Sequence, residues 1–208
     1  MKASNLLRVS AFALFAAFAA PAAAEVATGF ATGALSCQAA TTYDELTLLQ
    51  GAQHSVMRQA NPQIRTAARA MGFGGVAQYA ALPGVRAMLR LTASPTPTFV
   101  LAIPNNMQPQ GLFTLARLEV RRNNTREISI GGGYMSYSTG VPADRQIALD
   151  AREAANQRGA PAGTVLYELT PTAPLAPGEY VMIISTGQAQ TAGMMGGVGA
   201  HFYDFGVD

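Results

Sequence analysis

The residues best suited to nucleophilic catalysis are two histidines, one cysteine and one serine: His54, His201, Cys37 and Ser55. A serine hydrolase needs a nucleophile, a base and an acid that orients the base. His54 falls beside Ser55 in a segment with helical spacing, whereas His201 falls in a strand pattern. No Gly-x-Ser-x-Gly elbow occurs, and nothing around Cys37 favours a thiol site. We therefore assign no catalytic residue and expect a protein that is not an enzyme.

Metal binding has no better support in the residue spacing. Zinc sites use closely spaced cysteine and histidine ligands, and here these residues are widely separated. Met194 and Met195 share a glycine-rich segment with His201, which would suit soft copper(I) chemistry. Methionine also serves as adaptable core filler, and the methionines are spread along the chain. We predict no metal site and no cofactor.

The carboxylates indicate structural roles. A glycosidase uses a facing pair of them, but acidic residues are sparse in this chain. Asp44 and Glu45 have the positions of helix N-terminal charges. Glu179 is expected to point outward beside a turn, and Asp204 and Asp208 are expected on the polar face of the last strand.

The glycine-rich segment 193–199 is not a phosphate loop. It lacks the Gly-Lys-Ser/Thr ending, and it precedes a strand pattern instead of opening a helix. We interpret it as a connector whose methionines could serve as a contact surface.

The first 24 residues predict export. Lys2 and Arg8 are positive, an apolar run follows from Val9 to Ala20, and small residues stand before Glu25. This is the order of a secretory signal peptide, and the run is shorter than the roughly 20 residues that span a bilayer. We expect cleavage near Ala24 and a periplasmic or secreted protein that is not an integral membrane protein.

Charge argues against nucleic acid as a partner. The chain has 14 Lys+Arg and 12 Asp+Glu, and Lys2 and Arg8 account for the whole excess. After cleavage the balance is neutral, and a neutral chain lacks the positive surface that phosphate contacts require.

Before residue 84 the spacing favours helices. Thr42 and Glu45 resemble a capping box, and apolar positions continue at helical spacing to residue 60; the alternative is a short strand over Leu46–Leu49. Asn61 and Pro62 are typical of a second helix start. Residues 76–82 could add one or two helical turns.

From residue 85 onward the period changes to two, which is typical of strands. Residues 99–103 are apolar on both faces, as in a strand at the centre of a core. Further alternation covers 165–169, 180–184 and 201–207, with a short strand near 146–149 and a helical turn over 150–157. The absence of helical crossovers between these segments favours an antiparallel sandwich.

The clearest hairpin joins residues 114–121 to 128–130 through Asn123-Asn124. Thr114, Ala116, Leu118 and Val120 are predicted to face one way. Arg117, Arg121 and Arg126 form a candidate contact surface, whose alternative is an ordinary solvated strand face.

The C-terminal half also resembles a known group of proteins. The runs Pro174-Leu175-Ala176-Pro177-Gly178-Glu179-Tyr180 and Tyr203-Asp204-Phe205-Gly206-Val207-Asp208 are similar to the ends of secreted bacterial β-sandwich proteins of unassigned role. The resemblance implies a fold and an envelope location, and it brings no catalytic residues.

The sequence thus predicts a mainly β chain, with an immunoglobulin-like antiparallel β-sandwich over residues 85–208. A signal peptide over 1–24 and a lead-in with an α-helical section over 25–84 precede it. The expected function is binding of an envelope or extracellular protein. One alternative is a small-ligand carrier or enzyme whose pocket, lined by His54 or Cys37, lies between the two sections. Another is a structural surface subunit that assembles through the 203–208 strand as an edge.

Overall fold

A computed structural model describes residues 45–68, 75–133, 138–185 and 199–208. The described chain is mainly β, and its strands in chain order are β1 (Leu46–Gln50), β2 (Gln53–Val56), β3 (Gln63–Ala68), β4 (Val76–Pro83), β5 (Arg90–Leu91), β6 (Thr98–Pro104), β7 (Phe113–Arg117), β8 (Glu119–Arg121), β9 (Thr125–Gly133), β10 (Ser138–Thr139), β11 (Gln146–Ile147), β12 (Leu149–Glu153), β13 (Thr164–Pro171), β14 (Gly178–Ser185) and β15 (Ala200–Val207). One 3-10 turn, Ala143–Arg145, precedes β11.

These strands form three sheets. Sheet A has the order β12-β13-β6-β1-β2, and sheet B has the order β11-β7-β14-β15-β5. Sheet C has the order β10-β9-β4-β3, with β8 paired to β9. Nearly all neighbours are antiparallel; β15 and β5 are parallel at Gly206 and Val207.

Sheet B buries both of its faces because its central strand, β14, carries apolar side chains on both sides. On β14, Tyr180, Met182 and Ile184 pack with side chains of sheet A such as Phe99 and Leu101. The intervening Val181 and Ile183 pack with side chains of sheet C such as Leu82 and Ile128. The three sheets are therefore held by two apolar cores on opposite sides of β14.

Several strand predictions are confirmed. Residues 99–103 lie in β6, which is buried on both faces between β1 and β13. Strands β13, β14 and β15 contain the segments predicted at 165–169, 180–184 and 201–207. The turn at Asn123 and Asn124 joins β8 to β9, and Asn124 takes a positive φ of 60°.

The predicted hairpin differs in one respect. The chain leaves sheet B at the end of β7 and enters sheet C at β8, with Leu118 buried at the crossing. Val120 is predicted to face the same way as Ala116 and Leu118; this is wrong, because Ala116 and Leu118 are buried whereas Val120 lies on β8 in sheet C and is exposed.

The helices predicted before residue 84 are wrong for the described residues. Leu46 and Leu48 are buried while β1 pairs with β6, so the alternative of a strand over Leu46–Leu49 is confirmed. Gly51, with a φ of +58°, lies in the turn that joins β1 to β2. The stretch after Pro62 forms β3, which pairs with β4 along its whole length. Residues 42–44 and 69–74 lie outside the described residues.

Two further expectations can be compared. The helical turn predicted over 150–157 is wrong, because residues 149–153 form β12 and pair with β13. The short strand expected near 146–149 is confirmed as β11 and the start of β12. No helix in the described part of the chain is long and apolar enough to cross a membrane.

Candidate functional site

Three charged side chains meet inside the protein, and we call them the buried charge cluster: Arg126, Glu179 and Asp204. Arg126 is 4% exposed and Glu179 is 6% exposed. Nη1 of Arg126 lies 2.6 Å from Oδ2 of Asp204 and 3.3 Å from Oε2 of Glu179. Buried charges require such partners, because an unpaired one pays a large desolvation penalty.

The cluster overturns two expectations. Arg126 was assigned to a surface, and Glu179 was expected to point outward; both are buried. The reason is strand alternation: Arg126 lies on the same side of β9 as Ile128, and Glu179 lies on the same side of β14 as Val181. The period-two pattern contained this signal, but the charge of the two residues concealed it.

The buried charge cluster also binds the backbone at the end of β4 and in the loop that follows it. Arg126 donates from Nε to the carbonyl of Gly84 and from Nη2 to the carbonyl of Pro83, both at 3.1 Å. Oε2 of Glu179 accepts a hydrogen bond of 2.7 Å from the backbone N–H of Ala87. The loop over residues 84–90 is thereby fixed from beneath, and we call it the pinned loop.

The far end of the pinned loop is held by the chain terminus. Arg90 contacts both Glu179 and Asp208, and Arg86 contacts Asp208 at 2.8 Å. The hydrogen bond from Arg90, together with the charges of Arg90 and Arg86, lowers the pKa of the Asp208 carboxyl below its usual value. The same contacts, that with Asp208 first, raise the pKa of Arg90.

The pinned loop presents apolar side chains to solvent. Met88 is 94% exposed and Val85 is also exposed, while Ala87 between them is buried. Methionine is a flexible, polarisable side chain that adapts to irregular partner surfaces. The pinned loop therefore combines a fixed backbone with a fully accessible apolar side chain.

The rest of the predicted arginine surface remains at the surface. Arg117, Arg121 and Arg145 line a cavity of about 350 Å³ over the outer face of sheet C. Tyr79 and Glu127 line the same cavity. Arg121 is paired with Glu119 at 2.8 Å and with Glu127 at 3.3 Å. The structure thus brings Arg117 and Arg121 together and separates Arg126 from them.

A second cavity, of about 480 Å³, adjoins the first. The two cavities share Arg117, Asp144 and Arg145, and the second is otherwise lined largely by apolar groups from β11 and from residues 173–176. We call it the Arg117 cavity. Nη2 of Arg117 donates to the carbonyl of Pro177 at 3.0 Å.

The two candidate histidines, His54 and His201, are not brought together. His54 is exposed on β2 and lines a pocket of about 430 Å³ with Gln50 and Arg90. His201 lies on β15 in another sheet, and its buried Nδ1 has no hydrogen-bond partner within the described ranges. Among those residues, no three His, Cys, Asp or Glu side chains are grouped to hold a metal ion. Cys37, Asp44, Met194 and Met195 lie outside the described residues.

Comparisons with protein-family models, with curated proteins and with solved structures find no match to this chain.

Proposed function

We propose that this chain is an exported, non-enzymatic binding protein of the bacterial envelope, and that the pinned loop is its main contact surface. Export is supported by the signal-peptide order of residues 1–24, with release near Ala24. The stacking of antiparallel sheets on two apolar cores supports an immunoglobulin-like β-sandwich plan. The partner class is an envelope or extracellular protein.

The exposure of Met88 carries this proposal. A side chain that is 94% exposed contributes nothing to the core, yet the backbone on both sides of it is held by buried or partly buried charges. Binding surfaces gain affinity when they are ordered before the partner arrives, because less conformational entropy is lost on association. A few well-placed side chains then supply most of the binding energy.

A small-ligand carrier is the second candidate, and the pocket beside His54 is the observation that favours it. His54 and Arg90 both line this pocket, and ligand pockets use a small number of such polar or charged groups to orient a ligand. The guanidinium of Arg90, however, is already bound to Glu179, Asp208 and the carbonyl of Val207. The pocket therefore offers a ligand less free charge than its composition indicates.

Assembly through the last strand has less support. Strand β15 pairs with β14 along its length and with β5 at its end, and Phe202 accepts a backbone hydrogen bond from Ala60. Strand β15 therefore has β14 on one side and, on the other, β5 at Gly206 and Val207 and Ala60 at Phe202. The longest exposed edge in the described part of the chain is β3, whose six residues are all exposed.

Crosslinking in the native envelope tests the proposed function. The tagged full chain is expressed in a host that processes its signal, crosslinked in place, and purified with whatever it contacts. A reproducible protein partner is the expected result. Crosslinks between copies of the chain alone would favour the structural subunit, and recovery of no partner would favour the ligand carrier.

A further inference from the structure

The guanidinium of Arg117 is fixed in place by the Pro177-Gly178 turn. Nη2 is bound to the carbonyl of Pro177, and a β-carbon at position 178 would lie 3.0 Å from both Nε and Nη2. Glycine at position 178 therefore leaves the space in which the arginine lies. Pro177 and Gly178, two residues of the Pro174–Tyr180 run, thus help to position Arg117.

The charge of Arg117 has no counter-ion among the described residues, because none of their carboxylates lies within 4.0 Å of it. Its neighbours differ: Arg121 is paired with Glu119 and Glu127, and Arg145 lies 3.6 Å from Asp144. The positive charge also reaches the hydroxyl of Tyr180, where burial raises the pKa and Arg117 opposes part of that rise. A guanidinium that no side-chain carboxylate occupies can pair with the carboxylate of a ligand.

Part of the wall next to Arg117 is apolar. Ile147, Pro174 and Leu175 line it, and the small side chains of Ala173 and Ala176 leave the space open. The tip of Tyr180 is occupied, since its hydroxyl donates to the carbonyl of Ala176. An apolar group attached to the bound carboxylate would therefore find an apolar surface within reach.

The polar side of the site narrows the ligand class. Asp144 lines both cavities and Glu119 lines the one beyond Arg117; neither carboxylate lies within 4.0 Å of the Arg117 guanidinium, and both can accept a hydrogen bond from a ligand. A fatty acid has no N–H group to donate to these acceptors, whereas the C-terminal residue of a peptide carries a backbone N–H close to its carboxylate. The surroundings of Arg117 thus match a ligand that carries a carboxylate, an apolar side chain and a hydrogen-bond donor.

We propose that the Arg117 cavity binds the C-terminal residue of a peptide when that residue is apolar, with its carboxylate on Arg117 and its side chain against Ile147, Pro174 and Leu175. This site is independent of the pinned loop and is made by different residues. It goes beyond the proposed function, because it gives the protein a second ligand of defined chemistry.

Fluorescence polarisation with a labelled peptide ending in Gly-Leu-Leu tests this site on the full purified chain. The expected result is that the free carboxylate binds about tenfold or more tightly than the same peptide with a C-terminal amide, as loss of a charge-assisted pair implies. Equal binding of the two peptides, or binding of neither, would overturn the proposal. Stronger competition by decanoate than by the unlabelled peptide would also overturn it, in favour of a lipid carboxylate.

Variants locate the binding. Arg117→Gln should weaken the free-acid peptide about tenfold and leave the amide unchanged, while Arg152→Gln, on exposed β12, should bind like the parent. A fall in affinity for both peptides in Arg117→Gln, or an equal fall in Arg152→Gln, would contradict the assignment. The acid-amide comparison on the unaltered chain needs no variant and stands even if Arg117→Gln does not fold.

Discussion

The guanidinium of Arg90 lies over the α-carbon of Gly206, in the space that a β-carbon at position 206 would occupy. From there Arg90 reaches Glu179 on β14 and Asp208 after β15. One glycine in the last strand thus allows an arginine of β5 to connect three parts of sheet B. The pinned loop ends at Arg90, so the position of the loop depends on Gly206, which is far away in the sequence.

Gly206→Ala should lower the free energy of unfolding by about 1–3 kcal/mol, because the new methyl group displaces the guanidinium. Urea denaturation measures the effect. The control is the same change in an Arg90→Ala background, where the space is empty and the added cost should largely disappear. An equal cost in both backgrounds would show that the overlap with Arg90 is not its cause.

Glu179→Gln should destabilise the chain by about 3 kcal/mol, because it leaves Arg126 buried with only part of its counter-charge. The amide oxygen can still accept from Ala87, so the loss reports mainly on charge. Asp144→Asn, on an exposed carboxylate, should change stability by less than about 0.5 kcal/mol. Similar effects for the two variants would contradict the role of Glu179 in the buried charge cluster.

Hydrogen exchange at Ala87 gives a local readout of the same cluster. Its amide is bound to buried Glu179 and should exchange slowly in the parent chain and faster in Glu179→Gln. Fast exchange at Ala87 in the parent would mean that the loop is not pinned.

Asp208 should make stability depend on pH in the acid range. Its pKa is lower in the folded chain than in the unfolded one, so its contribution is complete above the ordinary aspartate pKa of about 3.9. The contribution declines as the pH falls toward the lowered folded value. The stability difference between the parent and Asp208→Asn should therefore be constant near neutrality and shrink in acid. A difference that grows in acid would contradict the assigned shift.

The sequence predicted those strands in which the alternation of apolar residues is plain. Strand β6 is apolar on both faces, and the β8–β9 turn carries its own asparagines. The spacing before residue 84 predicts helices where β1 to β4 form, with a strand as the alternative over Leu46–Leu49 alone, because apolar residues at three- and four-residue intervals also arise from short strands joined by turns. The pairing of β1 with β6 joins residues about 50 positions apart, which no local pattern identifies, although β1 with β2 and β3 with β4 are neighbours along the chain.

The buried charge cluster shows why the site was harder to predict than the strands. Arg126 and Glu179 occupy inward positions of their strands, but charged residues are almost never buried without partners. Those partners are 53 and 78 positions from Arg126. Alternation alone could have placed each of the three side chains inward, and only the three-dimensional pairing explains why they are stable there.

Truncation of Met88 should separate binding from folding. Met88→Ser removes an exposed side chain and should change the free energy of unfolding by less than about 0.5 kcal/mol, while it weakens retention of the partner. Val56→Ser removes another exposed apolar side chain, on β2, and should leave retention unchanged. Comparable losses of partner retention in both variants would mean that general surface hydrophobicity, and not Met88 in particular, holds the partner.

Site-specific photocrosslinking from position 88 tests the contact surface most directly. A photoreactive p-benzoylphenylalanine replaces Met88 in one version of the tagged chain and Val56 in another, and both are irradiated in the intact envelope. The pinned loop as contact surface predicts one reproducible protein adduct from position 88 and none of that mass from position 56. No adduct from position 88, or the same adducts from both positions, would contradict it.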